Sequence, residues 1–352
     1  MSKEIAEIIE LLTRLIGTPS ISGQEDKSAT LILDFFASHS IRADRKGNNV
    51  VVRNKYYNKE KQTLLLNSHH DTVKPVSSWK RNPYQAAIED EKLYGLGSND
   101  AGGCVATLTG VFLHFYERPD LKMNLLLVIS SEEEISGANG IVSVLPDFSE
   151  ISCGIVGEPT GMEMAIAERG LMVLDCISFG KAGHAARDEG ENAIYKAMET
   201  IEWFRTYQFP RISPLLGPVK MAVTMVNAGT QHNMVPDECH FTVDIRSTEA
   251  YSNEEIFEQI RSMVNCEVTP RSLRLKPSGI ALDHPLVIAG KAAGLQMIGS
   301  PTLSDQALMP FPTVKIGPGI SSRSHTADEF IELDEISAGF KIYDQLLSLL
   351  LL

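Results

Sequence analysis

The sequence predicts an α/β fold in which a mostly parallel sheet forms the main domain and a smaller α+β domain is inserted into it. Short apolar runs such as Leu64–Leu66 and Leu125–Ile129 alternate with helix-length segments, which is typical of a parallel sheet covered by helices. Beyond Arg169 the predicted elements follow the order β-α-β-β-α-β, the split βαβ pattern of ferredoxin-like domains. These two observations predict one domain interrupted by another.

Helical periodicity and apolar runs define the elements of the first part of the chain. Ile5, Ile8 and Leu12 fall on one face of a helix over residues 3–16, which Thr18-Pro19-Ser20 ends. Further helices are expected from Ser22–Glu25 to about Ser38 and over Val105–Phe115, and strands over Val50–Val52, Leu64–Leu66, Leu125–Ile129 and Ile155–Val156. Because the strands are apolar throughout, we expect them to be buried.

The inserted domain begins near Arg169, and the α/β pattern returns after Asp283. Its expected strands are Leu171–Phe179, Lys220–Val226, Cys239–Ile245 and a short Leu273–Leu275, and its helices are Asn192–Tyr207 and Asn253–Met263. A helix over 284–294, a strand near Val314–Ile316 and a final helix from about Asp334 follow. The predicted domains are 1–167 and 282–352 for the main domain and 168–281 for the insertion.

The composition excludes several classes of protein. A net charge of −13 and a pI of about 5.2 would repel nucleic acid. The five cysteines are scattered without a Cys-x-x-Cys motif, which argues against a disulfide framework and a thiolate zinc site and favours a reducing compartment. We see no signal-peptide core, and the Leu346–Leu352 run is too short to span a bilayer. We therefore expect a cytoplasmic protein with no membrane partner.

Polar side chains with metal-binding chemistry follow the predicted strands. They are His69 and Asp71, Asp100, Glu133 and Glu134, Glu158, and His325. Ligands of open α/β sheets lie beyond the carboxyl ends of the strands, so these groups are expected to converge. Imidazole nitrogen and carboxylate oxygen suit zinc, and a two-metal site shares one ligand between its ions. The expected ligand set is His69, Asp100, Glu134, Glu158 and His325, with Asp100 shared.

Glu133 and Asp71 remain outside this set and have other expected roles. A carboxylate beside the attacking water can take its proton and later return it to the leaving amine, and we assign this role to Glu133. An acid two residues from a ligand histidine can hold the second ring nitrogen, and we assign this role to Asp71. The His-x-Asp spacing selects His69 rather than His70 as the ligand.

Each motif alone has a simpler interpretation. A histidine at a strand end can be a solvated polar residue, and Glu132–Glu134 can be an acidic surface loop. Asp100 can be a helix N-cap, and Glu158-Pro159 can be a turn. Their occurrence together, in this order and at strand ends, favours the metal site. We interpret the remaining histidines as structural (His39, His114, His284) or as surface or interface residues (His232, His240).

Together these motifs resemble the signature of the M20 metallopeptidases, in the branch of acetylornithine deacetylase and succinyl-diaminopimelate desuccinylase. The matching segments are Ser68-His69-His70-Asp71-Thr72-Val73, Gly97-Ser98-Asn99-Asp100 with Gly103, Glu132-Glu133-Glu134, Gly157-Glu158-Pro159-Thr160, and His325 with Glu329. The resemblance covers essentially the whole chain. Ser68, Gly102, Cys104 and Ile135 depart from the usual residues, but none of these departures removes an expected ligand or the base.

The resemblance implies two divalent ions, with zinc expected and cobalt or manganese as alternatives. It assigns the same five ligands, Glu133 as general base and Asp71 as the orienting acid. It also implies that the inserted domain is a lid and dimerisation domain whose His184 completes the oxyanion hole, often in the partner subunit's site. Asn233, Arg246, Ser304 and Asp305 match substrate-binding positions. Without the resemblance, His184 is only an accessible histidine, and Arg246 can simply pair with a carboxylate.

The implied reaction is hydrolysis of an N-acylated amino acid. N-acetyl-L-ornithine is the first choice, which would place the enzyme in arginine biosynthesis. The alternatives are N-succinylornithine, succinyl-diaminopimelate, a peptide substrate of a family aminopeptidase or dipeptidase, and a metal-binding protein that has lost catalysis. The intact Glu133 argues against the last of these. The expected partners are the small-molecule substrate and a second copy of the chain, joined through edge strands of the inserted domain.

Overall fold

The computed structural model describes residues 2–187 and 189–352. These residues form two compact units, each with its own apolar core. Unit 1 contains the residues up to Ile166 together with Gly279–Ile298 and Ser304–Leu352. Unit 2 contains Ala167–Ser278 and Gly299–Leu303.

Several helices begin at a polar residue whose side chain accepts a free backbone N–H group. Ser2 caps the first helix, and Ser252 with Glu255 forms a capping box at the sixth. The helices are α1 (Lys3–Ile16), α2 (Asp26–Ser38), α3 (Gly103–Tyr116), α4 (Ile141–Val144), α5 (Ala193–Thr206), α6 (Asn253–Met263), α7 (Pro285–Ala292) and α8 (Leu333–Leu351). None of the helices in the described residues has the length and apolar composition that crossing a membrane requires.

The strands fall into a large sheet, a smaller antiparallel sheet and two short ribbons. The strands are β1 (Ala43–Lys46), β2 (Asn49–Arg53), β3 (Thr63–His69), β4 (Ala87–Glu89), β5 (Lys92–Tyr94), β6 (Asn124–Ser130), β7 (Ile151–Val156), β8 (Met164–Glu168), β9 (Met172–Phe179), β10 (Gly183–His184), β11 (Lys220–Ala228), β12 (Met234–Val235), β13 (Glu238–Arg246), β14 (Glu267–Pro270), β15 (Ser278–Gly279), β16 (Met297–Ser300), β17 (Thr313–Lys315) and β18 (Phe330–Glu332).

The large sheet has the order β1-β2-β6-β3-β7-β17-β8-β15, and β16 pairs with β8. Its central strands β6, β3, β7 and β17 are parallel, whereas β2 and β8 run antiparallel to their central neighbours. All residues of β3 and β6 are buried. Leu64 and Leu66 belong to one core cluster and Leu65 to another, because successive side chains of a strand point to opposite faces. Both faces of this sheet are therefore covered.

Unit 2 contains an antiparallel sheet with the order β11-β13-β9-β14. The helices α5 and α6 contribute to its core, in which Ala197 and Ile256 join residues of the strands such as Leu174 and Phe241. Buried and half-buried residues alternate along β9, as expected of a sheet with one face towards a core. The long elements follow the order β9-α5-β11-β13-α6-β14.

The predicted fold class is confirmed, because a mostly parallel sheet and a separate α+β sheet are both present. The expected short strand at Leu273–Leu275 is wrong, and the last strand of unit 2 is instead β14 (Glu267–Pro270). The carbonyl groups of Leu273 and Leu275 accept hydrogen bonds from the side-chain amide of Asn253, which ties this segment to α6. Pro270 is tolerated because β14 is an edge strand.

Candidate metal centre

The candidate site lies in unit 1, where the central parallel strands end. His69 is the last residue of β3 and stands level with Ser130, the last residue of β6. Glu158 follows the end of β7, and Glu133 and Glu134 follow the end of β6. Asp100 lies in the turn that leads into α3. Because parallel strands end at one edge of the sheet, residues distant in sequence meet there.

The structure brings the five expected metal ligands together. Nε2 of His69 is 3.2 Å from Oδ1 of Asp100 and 3.7 Å from Oε1 of Glu158. Nε2 of His325 is 3.7 Å from Oδ2 of Asp100 and 3.0 Å from Oε2 of Glu134. Each histidine therefore has its own carboxylate, and the two oxygens of Asp100 face different histidines. This is the arrangement expected of a shared ligand.

The donor set fits a pair of divalent cations. In the described residues, the ion pairs of Asp100, Glu133 and Glu134 are all made with histidines. Burying several carboxylates without compensating positive charge is costly. Two imidazoles with three carboxylates suit zinc, cobalt or manganese. Two ions held by His69, Asp100 and Glu158 and by Asp100, Glu134 and His325 would balance this charge.

The titration of both histidines reflects the same excess of negative charge. Burial acts to lower the pKa of His69, but its contacts with Asp100 and Asp71 outweigh burial and raise that pKa well above its usual value. The hydrogen bond to Glu134 raises the pKa of His325 to about 9. In the absence of an ion, the carboxylates thus draw protons onto the two imidazoles. The surroundings of both rings favour a cation.

The three consecutive glutamates point to different partners. Glu132 turns away to Asn139, whose backbone N–H and side-chain amide donate to its carboxylate at 3.1 and 3.0 Å. Glu134 meets His325. Oε2 of Glu133 lies 3.8 Å from Nε2 of His69, and burial raises the pKa of the Glu133 carboxyl well above its usual range. A carboxyl group with a raised pKa beside the ligands can accept and return a proton.

Asp71 has a broader structural role than the sequence suggests. Nδ1 of His69 donates to the backbone carbonyl of Asp71 at 3.0 Å, and the Asp71 carboxylate lies further away at 3.5 Å. That carboxylate accepts the backbone N–H groups of Glu133 and Glu134 at 3.0 and 3.2 Å, and the Ser22 hydroxyl at 2.7 Å. Asp71 therefore fixes the segment that carries Glu133 and Glu134 as well as the ring of His69.

Sequence comparison agrees with this geometry. A family model described as peptidase family M20/M25/M40 matches residues 65–349. The chain belongs to this family. A succinyl-diaminopimelate desuccinylase from Thioalkalivibrio sulfidiphilus is 26% identical over 375 residues, which cover 97% of each chain. An acetylornithine deacetylase from Buchnera aphidicola is 24% identical over 368 residues, which cover 94% of this chain and 95% of the relative.

Solved structures of the M20 family share the fold. A Bacillus subtilis protein, YXEP, described as a dinuclear metal-binding peptidase of the M20 family, matches with a TM-score of 0.73 at 15% identity, covering 99% of this chain and 98% of that one. The chain is thus an M20 metallohydrolase whose relatives include amide-hydrolysing deacylases. The relatives carry two substrate names, so they support the class of acyl-amino-acid hydrolases and not one substrate.

The predicted substrate residues of unit 1, Ser304 and Asp305, are buried. Ser304 and Asp305 are only 2% and 3% exposed. The Ser130 hydroxyl donates to Oδ2 of Asp305 at 2.6 Å, and burial raises the pKa of Asp305 to about 6. In this structure Asp305 supports the end of β6, next to the segment of Glu133.

The other predicted site residues, His184, Asn233 and Arg246, lie in unit 2. His184 is exposed, and its Nδ1 accepts the backbone N–H of Ala186 at 3.1 Å. The backbone carbonyl of the neighbouring Asn233 accepts from Ala185 at 3.1 Å. Arg246 forms two hydrogen bonds with Asp244, at 2.8 and 3.1 Å. His184 therefore lies in the short ribbon of β10 and β12, and Asn233 immediately precedes β12. Arg246 has the carboxylate partner of the alternative interpretation.

Five further histidines have partners outside the ligand cluster, namely His39, His70, His114, His240 and His284. Nε2 of His70 lies 3.0 Å from the carbonyl of Asn48 and must donate to it, because a carbonyl can only accept. In the neutral ring, Nδ1 is then the acceptor and takes the hydrogen bond from the Ser28 hydroxyl at 2.9 Å. His284 caps α7. His39 contacts Glu7, His114 contacts Asp344, and the exposed His240 pairs with Glu238.

Sequence reasoning missed three residues that hold the ligand segments in place. The buried Glu25 accepts the backbone N–H of Glu132 at 3.2 Å, although its position had suggested only a helix start. Glu329 and Asn99 connect the segments of Asp100 and His325. The role of Glu25 cannot be read from the sequence, because an acid before an apolar helix is also the pattern of an ordinary helix N-terminus. Glu329 and Asn99 both belong to the sequence motifs, but the motifs alone do not indicate what either side chain does.

Proposed function

We propose that this M20 hydrolase cleaves the amide bond of an N-acylated amino acid, with N-acetyl-L-ornithine as the first substrate. One observation carries the proposal: the carboxylate of Asp100 stands between His69 and His325 while Glu133 adjoins the same cluster as a further acid. A protein that only stored metal would gain nothing from this additional buried carboxylate, whose burial is costly.

The residues of the site can perform the hydrolysis in the following way. Bound divalent ions supply electrophilic stabilisation of the negative charge that develops on the acyl oxygen. Glu133 takes a proton from the attacking water and returns it to the departing amine, so the amine leaves in its neutral form. Asp71 holds the backbone of Glu133 in place during both transfers. The backbone carbonyl of Asp71 accepts from Nδ1 of His69 and keeps that ring in a fixed orientation.

N-succinyl-L,L-diaminopimelate is the second candidate substrate, because the relative with 26% identity is named as a desuccinylase. The two candidates share an amide next to an α-carboxylate. They differ in the acyl group and also in the amine part, because diaminopimelate ends in a second amino-acid group where ornithine ends in an amine. A succinyl substrate adds a distal carboxylate, which requires one more cationic or N–H contact.

A substrate panel tests the proposal. Protein freed of metal and reloaded with Zn²⁺ would be assayed for amine release from acetyl-, succinyl- and formyl-ornithine, succinyl-diaminopimelate and a set of dipeptides. We expect the highest kcat/KM with acetylornithine. Faster release from succinyl-diaminopimelate would select the second candidate, and cleavage of dipeptides alone would overturn the deacylase proposal. The Glu133→Gln variant serves as the inactive control for contaminating hydrolases.

We also propose that the chain forms a homodimer through unit 2. The edge strand β11 exposes 64% of Met225 and 57% of Val226, and an exposed apolar edge strand tends to pair with another strand. Two copies of β11 related by a two-fold axis would cover this surface. The proposal includes a role for His184 of the partner subunit as a donor to the acyl oxygen.

Sedimentation velocity tests the dimer. Wild-type protein is expected to sediment as a dimer, and Met225→Asp is expected to shift it towards monomer. Ile288→Asp is the matched control, because Ile288 is similarly exposed at 53% but lies on α7 of unit 1. A monomeric, fully active wild-type protein would contradict both the dimer and the role of the partner's His184.

A further inference from the structure

The segments that carry Asp100 and His325 are distant in the sequence but must hold a defined separation. Oδ2 of Asp100 and Nε2 of His325 are 3.7 Å apart. Neither residue lies within a strand of the sheet, and His325 adopts a left-handed backbone conformation with φ 59°. A metal ion tolerates only a few tenths of an ångström of error in ligand placement. Some contact between the two segments must therefore fix their spacing.

Glu329 provides this contact from the His325 side. Its side chain is 2% exposed. Oε2 accepts the backbone N–H of Gly97 at 3.0 Å, and Oε1 accepts those of Asn99 and Asp100 at 2.8 and 2.9 Å. One carboxylate thus satisfies three backbone donors of the turn that carries Asp100, including the donor of Asp100 itself. Charge-assisted hydrogen bonds of this kind are the strong ones.

Asn99 provides the reciprocal contact from the Asp100 side. It is fully buried. Its Nδ2 donates to the carbonyl of Ile320 at 3.1 Å, and its Oδ1 accepts the N–H of the same residue at 2.9 Å. Nδ2 also lies 3.4 Å from the hydroxyl of Ser324, the residue before His325. A Cβ on Gly319 would lie 2.5 Å from Oδ1 of Asn99, so a glycine is needed for this approach.

We propose that Asn99 and Glu329 are positioning residues that together form a clamp, which sets the separation of Asp100 and His325 and thereby the affinity for the ion between them. The inference rests on the proposed two-ion function but is independent of the substrate. The clamp acts through the backbone and touches neither ion nor substrate. Replacing a residue that holds a metal ligand in place through a hydrogen bond typically lowers metal affinity or activity about 10–100-fold.

The clamp makes a specific prediction for Glu329→Gln. The amide has one acceptor oxygen, so at least one backbone N–H loses its partner and faces a donor. We expect the affinity for the ion between Asp100 and His325 to fall about 10–100-fold. The affinity for the second ion should fall less, because that ion shares Asp100 but is also held by His69 and Glu158. Asn99→Ala should weaken the same ion, because it removes the other half of the clamp. Glu329→Asp keeps the charge and should recover part of the affinity.

Asn124 offers a matched control. It is 1% exposed, and its side chain makes hydrogen bonds with Asn58, Lys61 and Thr63. It lies at the start of β6, whereas the metal centre lies at the end of that strand, about 20 Å away at about 3.3 Å per residue. Asn124→Ala should lower the melting temperature of the metal-free protein without changing either zinc affinity.

The experiment titrates metal-free wild type, Glu329→Gln, Asn99→Ala, Glu329→Asp and Asn124→Ala with Zn²⁺ against a chromophoric chelator. Parallel loading with Co²⁺ reports the coordination of each ion through its visible spectrum, and thermal melts of the metal-free proteins report stability. Two wild-type ions of which one is selectively weakened in the clamp variants support the proposal. Two ions with unchanged affinities in Glu329→Gln overturn the clamp alone. Fewer than two ions in the wild type overturn the proposed two-ion function and the clamp with it.

Discussion

Replacing Glu133 with glutamine separates proton transfer from metal binding. The amide has nearly the same shape as the carboxylic acid but cannot take a proton from water. General-base catalysis contributes about 10²–10⁴-fold in rate, which corresponds to roughly 3–5 kcal/mol in the activation barrier. We therefore expect kcat for the best substrate to fall by about this factor, with a smaller change in KM.

The structure also predicts what this substitution leaves intact. Glu133 is not among the five expected ligands, and its carboxylate lies near three others, Glu134, Glu158 and Asp305, which oppose its charge. Among the largest influences on Glu133 in the described residues, His69 is the group that attracts that charge. Replacing this carboxyl group with a neutral amide should preserve or raise the melting temperature of the metal-free protein, and two Zn²⁺ ions should still bind.

The assay combines steady-state kinetics with metal analysis by mass spectrometry. Glu132→Gln is the matched control, because the neighbouring Glu132 side chain turns away to Asn139. That variant should retain a kcat close to the wild-type value. A Glu133→Gln enzyme with wild-type kcat would refute the base assignment. Loss of one ion together with activity would instead make Glu133 a ligand.

Three further predictions follow from the contacts of the site. Asp71→Asn removes an acceptor for the N–H groups of Glu133 and Glu134, so kcat should fall roughly 5–150-fold, the equivalent of about 1–3 kcal/mol for an unsatisfied donor; an unchanged kcat would contradict this role. Chelation of the metal should lower the melting temperature, because ligand at about 100 Kd stabilises by about 2.7 kcal/mol; identical melts would contradict tight binding. Gly319→Ala should destabilise the protein more than Gly161→Ala in denaturant titrations, because both glycines have positive φ but only Gly319 would bring its Cβ against Asn99; equal losses would count against that contact.

The sequence predicts the central sheet well because burial leaves a strong pattern. Leu64–Leu66 and Leu125–Ile129 are apolar at every position, which a strand requires when both of its faces are covered. Short edge and flanking strands lack this pattern. The first strand, Ala43–Lys46, has three charged residues out of four and is at most half-buried, so no hydrophobic periodicity marks it. Its pairing with β2 depends on backbone hydrogen bonds that composition does not reveal.

The convergence of the expected ligands can also be predicted from the sequence, because each of them follows a predicted strand or lies in a motif. The sequence does not predict how the supporting acids are used. The sequence predicts that the Asp71 carboxylate contacts the His69 ring. In the structure the backbone carbonyl of Asp71 makes the closer contact with that ring, and the carboxylate accepts the backbone N–H of Glu133. Contacts of this kind join residues far apart in the chain. Local spacing therefore carries no signal for them.

The buried acids of this M20 hydrolase divide according to the donors that surround them. Asp100, Glu134 and Glu158 face the imidazoles of the ligand cluster, whereas Asp71 and Glu329 face backbone N–H groups. The contacts of the second group are made with backbone donors and do not include a ligand position, although burial and the charge of Asp100 raise the pKa of Glu329 to about 7. It follows that metal removal should leave the Asp71 and Glu329 contacts formed and free only the ligand side chains. Slow hydrogen exchange at the amides of Asn99, Asp100 and Glu133 in the metal-free protein would support this division, and rapid exchange there would show that the ions, rather than the acids, organise the site.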